Sequence, residues 1–144
     1  MSFDDRTAIV ETLTKQAVFA DRREWDALVE EVFAPKVTLD YTSLNGGEPA
    51  IVAATDIVSG WSSFFERFAV TQHLITNHLV SISGDEAMAT ADFQATHVAA
   101  PPDERRWVLG GDYRWTLEQT DAGWRVTAIT MTVRWETGDR SLIH

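Results

Sequence analysis

Asp21, His73 and His97 are the side chains of this sequence best placed to move a proton, because each occupies a position that packing would fill with carbon. Stepping back from Asp21 by four and three residues reaches Ala17, Thr14 and Val10, so the carboxylate continues the inner stripe of a helix at its C-terminal end. The helix dipole disfavours a carboxylate there, so Asp21 either pairs with Arg22 or Arg23 at a solvated helix end or seeks a hydrogen-bonding partner inside. His73 shares parity with Ile75, Asn77 and Leu79, and His97 ends a face made of Ala87, Ala89, Ala91, Phe93 and Ala95. On neighbouring strands both imidazoles face one interior. An aspartate on one ring nitrogen fixes the tautomer and strengthens the other nitrogen as a base, which is the chemistry of proton abstraction. Tyr41 adds a phenol that either donates to an oxyanion or carbonyl, or packs with a wet tip. His78 has the opposite parity to His73 and is expected on the other side of the sheet or in an oligomer interface. Arg134 either faces a cavity mouth, where it can hold an anionic or carbonyl group, or lies in solvent.

The elements that must position these groups follow from periodicity. Ile9, Val10, Leu13, Ala17 and Ala20 recur at helical spacing over residues 4–21, with Glu11, Thr12, Lys15 and Gln16 filling much of the other side. Trp25, Leu28, Val29 and Val32 repeat the pattern before Pro35, giving a helical hairpin. Alternation over residues 36–44 predicts a half-buried strand ended by Asn45-Gly46-Gly47. Thr55 or Asp56 caps a third helix over residues 57–68, whose stripe includes Trp61, Phe64, Phe65 and Phe68. Four hairpin-connected antiparallel strands follow, over residues 71–83, 86–99, 106–119 and 124–135. In the last of them the apolar parity changes near Ile129, where a bulge would switch faces. Alanine fills little volume, so a curved sheet lined by it and covered by helices leaves a hollow. The tail 137–144 is expected to be loosely held.

Composition sets the outer limits. The 144 residues suffice for one domain, with 44% hydrophobic residues and no cysteine. A net charge of -10 and a pI near 4.7 oppose binding to phosphate backbones and anionic membranes, so neither nucleic acid nor membrane is an expected partner. The acidic start and the lack of a long apolar run predict a cytoplasmic protein. No phosphate-cradling glycine loop, GxSxG elbow, HExxH or dinucleotide fingerprint is present, so no cofactor is expected. Asp21, His73 and His97 form a conceivable metal set but lack ligand-type helical spacing, and the expectation is no metal.

The segment Phe19-Ala20-Asp21-Arg22-Arg23-Glu24-Trp25-Asp26, the strand piece Leu39-Asp40-Tyr41, Thr71-Gln72-His73 leading to Thr76-Asn77-His78-Leu79-Val80, and Ala95-Thr96-His97 together resemble the SnoaL-like branch of the NTF2-like superfamily, closest to its scytalone dehydratase-like group. The resemblance covers nearly the whole chain. It implies an α+β cone, a curved mixed or antiparallel sheet around a cavity with three helices in the N-terminal half. By that resemblance Asp21 and His73 match an Asp-His pair, His97 a second histidine and Tyr41 a water-binding tyrosine. Ala20 stands where scytalone dehydratase has another tyrosine, and Arg134 matches a last-strand arginine of bile-acid dehydratases. Asn77, Arg134, Trp25, Trp61 and Phe93 are the expected substrate contacts. The implied activity is a cofactor-independent, dehydratase-type lyase acting on a small apolar oxygenated molecule such as a polyketide, terpenoid or steroid-like compound. His73 would remove a proton, Tyr41 would hold the enolate and His97 would protonate the leaving hydroxyl. An isomerase or cyclase with the same site, and a non-catalytic ligand-binding or dimerisation module, stand as alternatives. A homodimer is implied as well.

Overall fold

The computed structural model describes residues 3–144. Helix α1, Phe3–Asp21, buries Ile9, Leu13, Ala17 and Ala20 and lies across the sheet. A tight reversal, with Arg23 in the left-handed region at φ 61, leads into α2, Trp25–Glu31, which packs on α1 and α4. Strand β1, Phe33–Asp40, helix α3, Thr42–Asn45, strand β2, Ala50–Ala53, and helix α4, Ala54–Phe65, complete the first half. The second half is a meander of long strands: β3, Val70–Ser83, β4, Glu86–Val98, β5, Arg106–Thr120, and β6, Gly123–Gly138. A final 3-10 turn covers Arg140–Ile143.

One six-stranded sheet results, in the order β2-β1-β6-β5-β4-β3. The β1–β6 pair is parallel and the others are antiparallel, so the sheet is mixed, curved and open. Its inner face carries the alanines of β4 opposite the large residues Leu109, Tyr113, Trp115 and Leu117 of β5. Small side chains facing large ones across a curved sheet, with helices above, leave space between the layers.

Several boundaries and faces differ from the expectation. β1 starts earlier, with Pro35 where its pairing with β6 is irregular between Phe33 and Thr38, so the missing N–H interrupts no regular ladder. It stops at Asp40, whose Oδ1 accepts from the Thr42 N–H and Oγ1–H at 3.2 and 2.7 Å, starting α3. Tyr41 is therefore the residue before a short helix. α4 begins at Ala54 and ends at Phe65, and Thr55 and Asp56 lie in its first turn. Thr12 and Gln16 are buried, not solvent-facing: Thr12 returns its hydroxyl to the Ala8 carbonyl, and Gln16 holds the Trp115 indole.

In β3 the register with β4 shifts between Thr76 and Leu79, and Asn77 adopts φ 60. This bulge reverses parity. His78 consequently joins the half-buried side with Val80 and Ile82, while Leu79 is 72% exposed. Two more shifts affect β6, one opposite Thr116 and Leu117 and one opposite Gly110 and Gly111, where Arg134 is the extra residue. Gly111 is required there, since a Cβ would overlap the Thr132 carbonyl oxygen. Residues 137–144 are also held: β6 runs to Gly138, Leu142 is buried and Arg105 donates to the Ser141 hydroxyl.

Candidate active site

α1 delivers Asp21 beside the first residues of β3. His73 Nδ1 lies 2.7 Å from Asp21 Oδ1, and the His73 main-chain N–H donates to Asp21 Oδ2 at 2.7 Å. Thr71 Oγ1 donates to Oδ1 at 3.0 Å. Three donors thus offset the unfavourable helix end. A carboxylate can only accept, so His73 Nδ1 donates to it and Nε2 is the ring nitrogen left outside that bond. Phe65 of α4 stacks on the imidazole at 5.8 Å with planes 10° apart, fixing the ring's tilt.

His97 enters from β4, its ring centroid 5.8 Å from that of His73. It is 3% exposed and wedged between Phe68 and Trp107 at 4.8 and 4.5 Å. Its Nδ1 lies 3.1 Å from the Trp107 carbonyl oxygen, another group that can only accept. Burial first, and the neighbouring His73 second, lower its pKa to about 4. His97 is therefore neutral at pH 7, protonated on Nδ1 and unprotonated on Nε2. A neutral His97 does not suit the expected role of proton donor to a leaving hydroxyl, because an unprotonated Nε2 can only accept.

Both imidazoles line a cavity of 260 Å³ bounded by α1, α3, α4 and the inner face of β3–β6. Trp61 and Phe93, expected as substrate contacts, are part of its wall, with Phe64, Ile75, Leu109 and Met131. Tyr41 is there too, beside Tyr113. Burial and the Tyr113 phenol raise the Tyr41 pKa well above its ordinary value, and burial raises Tyr113 to about 12 against a lowering by its hydrogen bond with Tyr41. Both phenols stay protonated. Gln16 Oε1 accepts from the Trp115 indole at 3.0 Å, which turns the amide NH2 away from that ring.

Three expected contacts lie elsewhere. Trp25 meets Phe65 edge-on at 5.4 Å, behind the wall and not in it. Asn77, moved to its bulge, donates to Asp92 Oδ2 at 2.8 Å on the exposed face. Arg134, with its side chain 68% exposed, donates to Asp112 Oδ2 at 2.6 Å on that face. Both positions follow from bulges that invert a strand's alternation. Conversely, Thr71, Tyr113 and Gln16 join the site with no role predicted for them, and Arg23, expected only as a solvated partner of Asp21, contacts Thr71 and Phe65. Parity with His73 marks Thr71, but no local signal marks Gln16, whose partner is distant in sequence. Among the described residues no group of three or more His, Cys, Asp or Glu side chains is arranged to hold a metal ion.

The family model of the SnoaL-like domain matches residues 1–130. The chain belongs to this SnoaL-like family. Solved structures agree in fold, which is NTF2-like. The Kfla4162 protein of Kribbella flavida is 28% identical over 97% of both chains, with a TM-score of 0.92. A candidate scytalone dehydratase from Novosphingobium aromaticivorans is 20% identical, covering 94% of this chain and 87% of its own, with a TM-score of 0.77. The LinA-type3 hexachlorocyclohexane dehydrochlorinase of Novosphingobium barchaimii is 16% identical, covering 94% and 90%, with a TM-score of 0.74. No curated protein matches the sequence. For this SnoaL-like chain, then, the comparisons give family and fold, and the chemistry rests on the cavity. Among the described residues no helix is long and apolar enough to cross a membrane.

Proposed function

We propose that this SnoaL-like protein is a cofactor-independent lyase that removes water from a small, neutral, oxygenated molecule. The observation that carries the reading is the Asp21–His73 pair, 2.7 Å apart, at the wall of an apolar cavity. An engineered cavity of about 150 Å³ holds benzene. By proportion, 260 Å³ suits a ligand of about ten non-hydrogen atoms, such as a bicyclic ring system.

His73 Nε2 takes a proton from the carbon beside a carbonyl, and the electron pair forms an enolate. The Tyr41–Tyr113 phenols donate a hydrogen bond to the enolate oxygen. His97 Nε2 accepts from the substrate's hydroxyl and orients it. The enolate re-forms the carbonyl and the carbon–carbon double bond as the carbon–oxygen bond breaks, and His73 returns its proton to the departing hydroxyl as water. Atoms balance without a cofactor. Isomerisation is the second reading, favoured by the same observation that His97 offers no second acid: His73 would return the proton to another carbon. The names of the dehydratase and dehydrochlorinase neighbours describe elimination and support the first.

The test is a panel of bicyclic β-hydroxy ketones, followed by the absorbance of the conjugated enone formed on loss of water. The wild type turns over at least one, His73→Ala abolishes turnover, and Asp21→Asn lowers it by roughly 10²- to 10⁴-fold. Ligands that bind wild type and His73→Ala equally, with no turnover by either, would sink the reading in favour of a binding module. We also take the protein to act as a homodimer, supported by the exposed Leu74, Leu79, Met88 and Trp135.

A further inference from the structure

Arg23 occupies a place that its residue type makes costly. Its φ of 61 lies in the left-handed region, which a glycine would adopt freely. Its side chain is half-buried, and burial lowers its pKa against the pull of Asp21. What the arginine does in return is join three elements. Nη1 donates to the carbonyls of Ala20 and Asp21, at 3.0 and 3.3 Å, at the end of α1. The same nitrogen donates to Thr71 Oγ1 at 2.8 Å, at the start of β3. The guanidinium carbon lies 4.7 Å from the centre of the Phe65 ring of α4, and Phe65 stacks on His73.

These contacts form two chains of interaction ending on one imidazole. In the first, Thr71 spends a lone pair on Arg23 and directs its hydroxyl proton to Asp21 Oδ1, the oxygen that holds His73 Nδ1–H. In the second, the guanidinium plane supports the Phe65 ring that lies flat against His73. The second depends on the planar face of the guanidinium, which lysine does not reproduce, and the first on the reach of its Nη1.

We propose that Arg23, acting through Thr71 and Phe65, is a positioning residue that sets the Asp21–His73 hydrogen bond; this rests on the reading of that pair as the proton-transferring centre. It is not the surface salt-bridge partner of Asp21 that its adjacency in sequence offers.

The test needs no ligand. The His73 Nδ1–H proton is observed by NMR in the whole protein at neutral pH, assigned by its loss in His73→Ala, and its exchange with water is measured. Arg23→Gly keeps the left-handed backbone at no strain and removes only the side chain. Arg23→Lys keeps the charge, and Thr71→Val removes the hydroxyl. In all three we expect exchange to quicken by about tenfold or more, as is expected when a charge-assisted hydrogen bond loses its supports. Melting temperatures measured alongside identify any variant that fails to fold, and Thr71→Ser, which restores the hydroxyl, should restore slow exchange. Unchanged exchange in Arg23→Gly, or wild-type exchange in Arg23→Lys, would overturn the proposal. If Asp21→Asn leaves the His73 signal unaltered, the dyad itself fails, and that outcome is distinct from a failure confined to Arg23.

Discussion

Replacing His97 should flatten the dependence of stability on pH between neutrality and about pH 5. An unfolded histidine titrates near 6.5, whereas burial among Phe68, Trp107 and His73 lowers His97 to about 4 in the fold. Between those values the unfolded chain binds a proton that the folded one refuses, so stability is full above 6.5 and is lost as pH falls towards 4. The complete difference of 2.5 units corresponds to about 3 kcal/mol. From pH 7 to pH 5 the loss amounts to roughly 2 kcal/mol. With His97 only 3% exposed, solvent screening does not reduce this appreciably. Urea unfolding followed by tryptophan fluorescence at both pH values, for wild type and for His97→Phe, gives the difference of differences. Carboxylates, and His78, which burial and Arg6 also lower, titrate in both proteins and cancel. His97→Gln, which retains a donor for the Trp107 carbonyl, serves as the second variant, because the phenylalanine leaves that carbonyl unpaired. Either variant should lose about 2 kcal/mol less than wild type over this interval. Equal losses would show that His97 accepts a proton in the fold as readily as in the unfolded chain, and the assignment of a neutral acceptor would be wrong.

Other consequences are as direct. The chain has two tyrosines, both in the cavity, so tyrosinate absorbance reports on the site alone: in the folded protein it should stay flat through pH 10, while in denaturant both phenols ionise near 10. Ionisation of either phenol near 10 in the fold would place it in water. Asn77→Gly should leave stability nearly unchanged, whereas Asn77→Ala should cost about 1 kcal/mol through its left-handed backbone, measured by urea unfolding; the reverse order would remove the bulge as the cause of the parity switch. Sedimentation should give a species of twice 16.1 kDa, and a single 16.1 kDa species would contradict the homodimer.

The parts of this fold legible in the sequence are those in which one rule acts over many residues. β4 shows its inner face because Ala87, Ala89, Ala91, Phe93, Ala95 and His97 alternate without interruption, and α1 shows its stripe because Ile9, Leu13, Ala17 and Ala20 repeat. Single residues that break a rule were not legible in the same way. One left-handed Asn77 moves His78 to the other face, and one extra residue in β6 turns Arg134 outward. Neither carries a composition signal strong enough to locate the shift. Gln16 looked like a solvent position because its compensating partner, Trp115, is 99 residues away. Asp21 and His73 were identifiable as polar groups on inner faces, but their contact depends on where α1 ends over β3, which no local pattern determines.

Proton accounting in the cavity narrows the chemistry further. Each histidine has its Nδ1 proton held by an acceptor, Asp21 for His73 and the Trp107 carbonyl for His97. Each leaves Nε2 outside that bond, but only His73 is hydrogen-bonded to a carboxylate that stabilises an imidazolium. His97 has burial and a neighbouring imidazole against it, so in the reaction proposed above the proton that leaves the substrate stays on His73 until it is passed on. Under that proposal a single carrier serves as base and then as acid, and both transfers occur on the side of the substrate facing His73. The two reactions consistent with this part ways at the last transfer. In dehydration the abstracted hydrogen ends in water, so deuterium placed at the abstracted position is absent from the product. In isomerisation the same hydrogen moves to another carbon within an apolar enclosure, and a measurable share of the label remains. Once one compound of the panel is turned over, the fate of a deuterium at its abstracted position distinguishes the two.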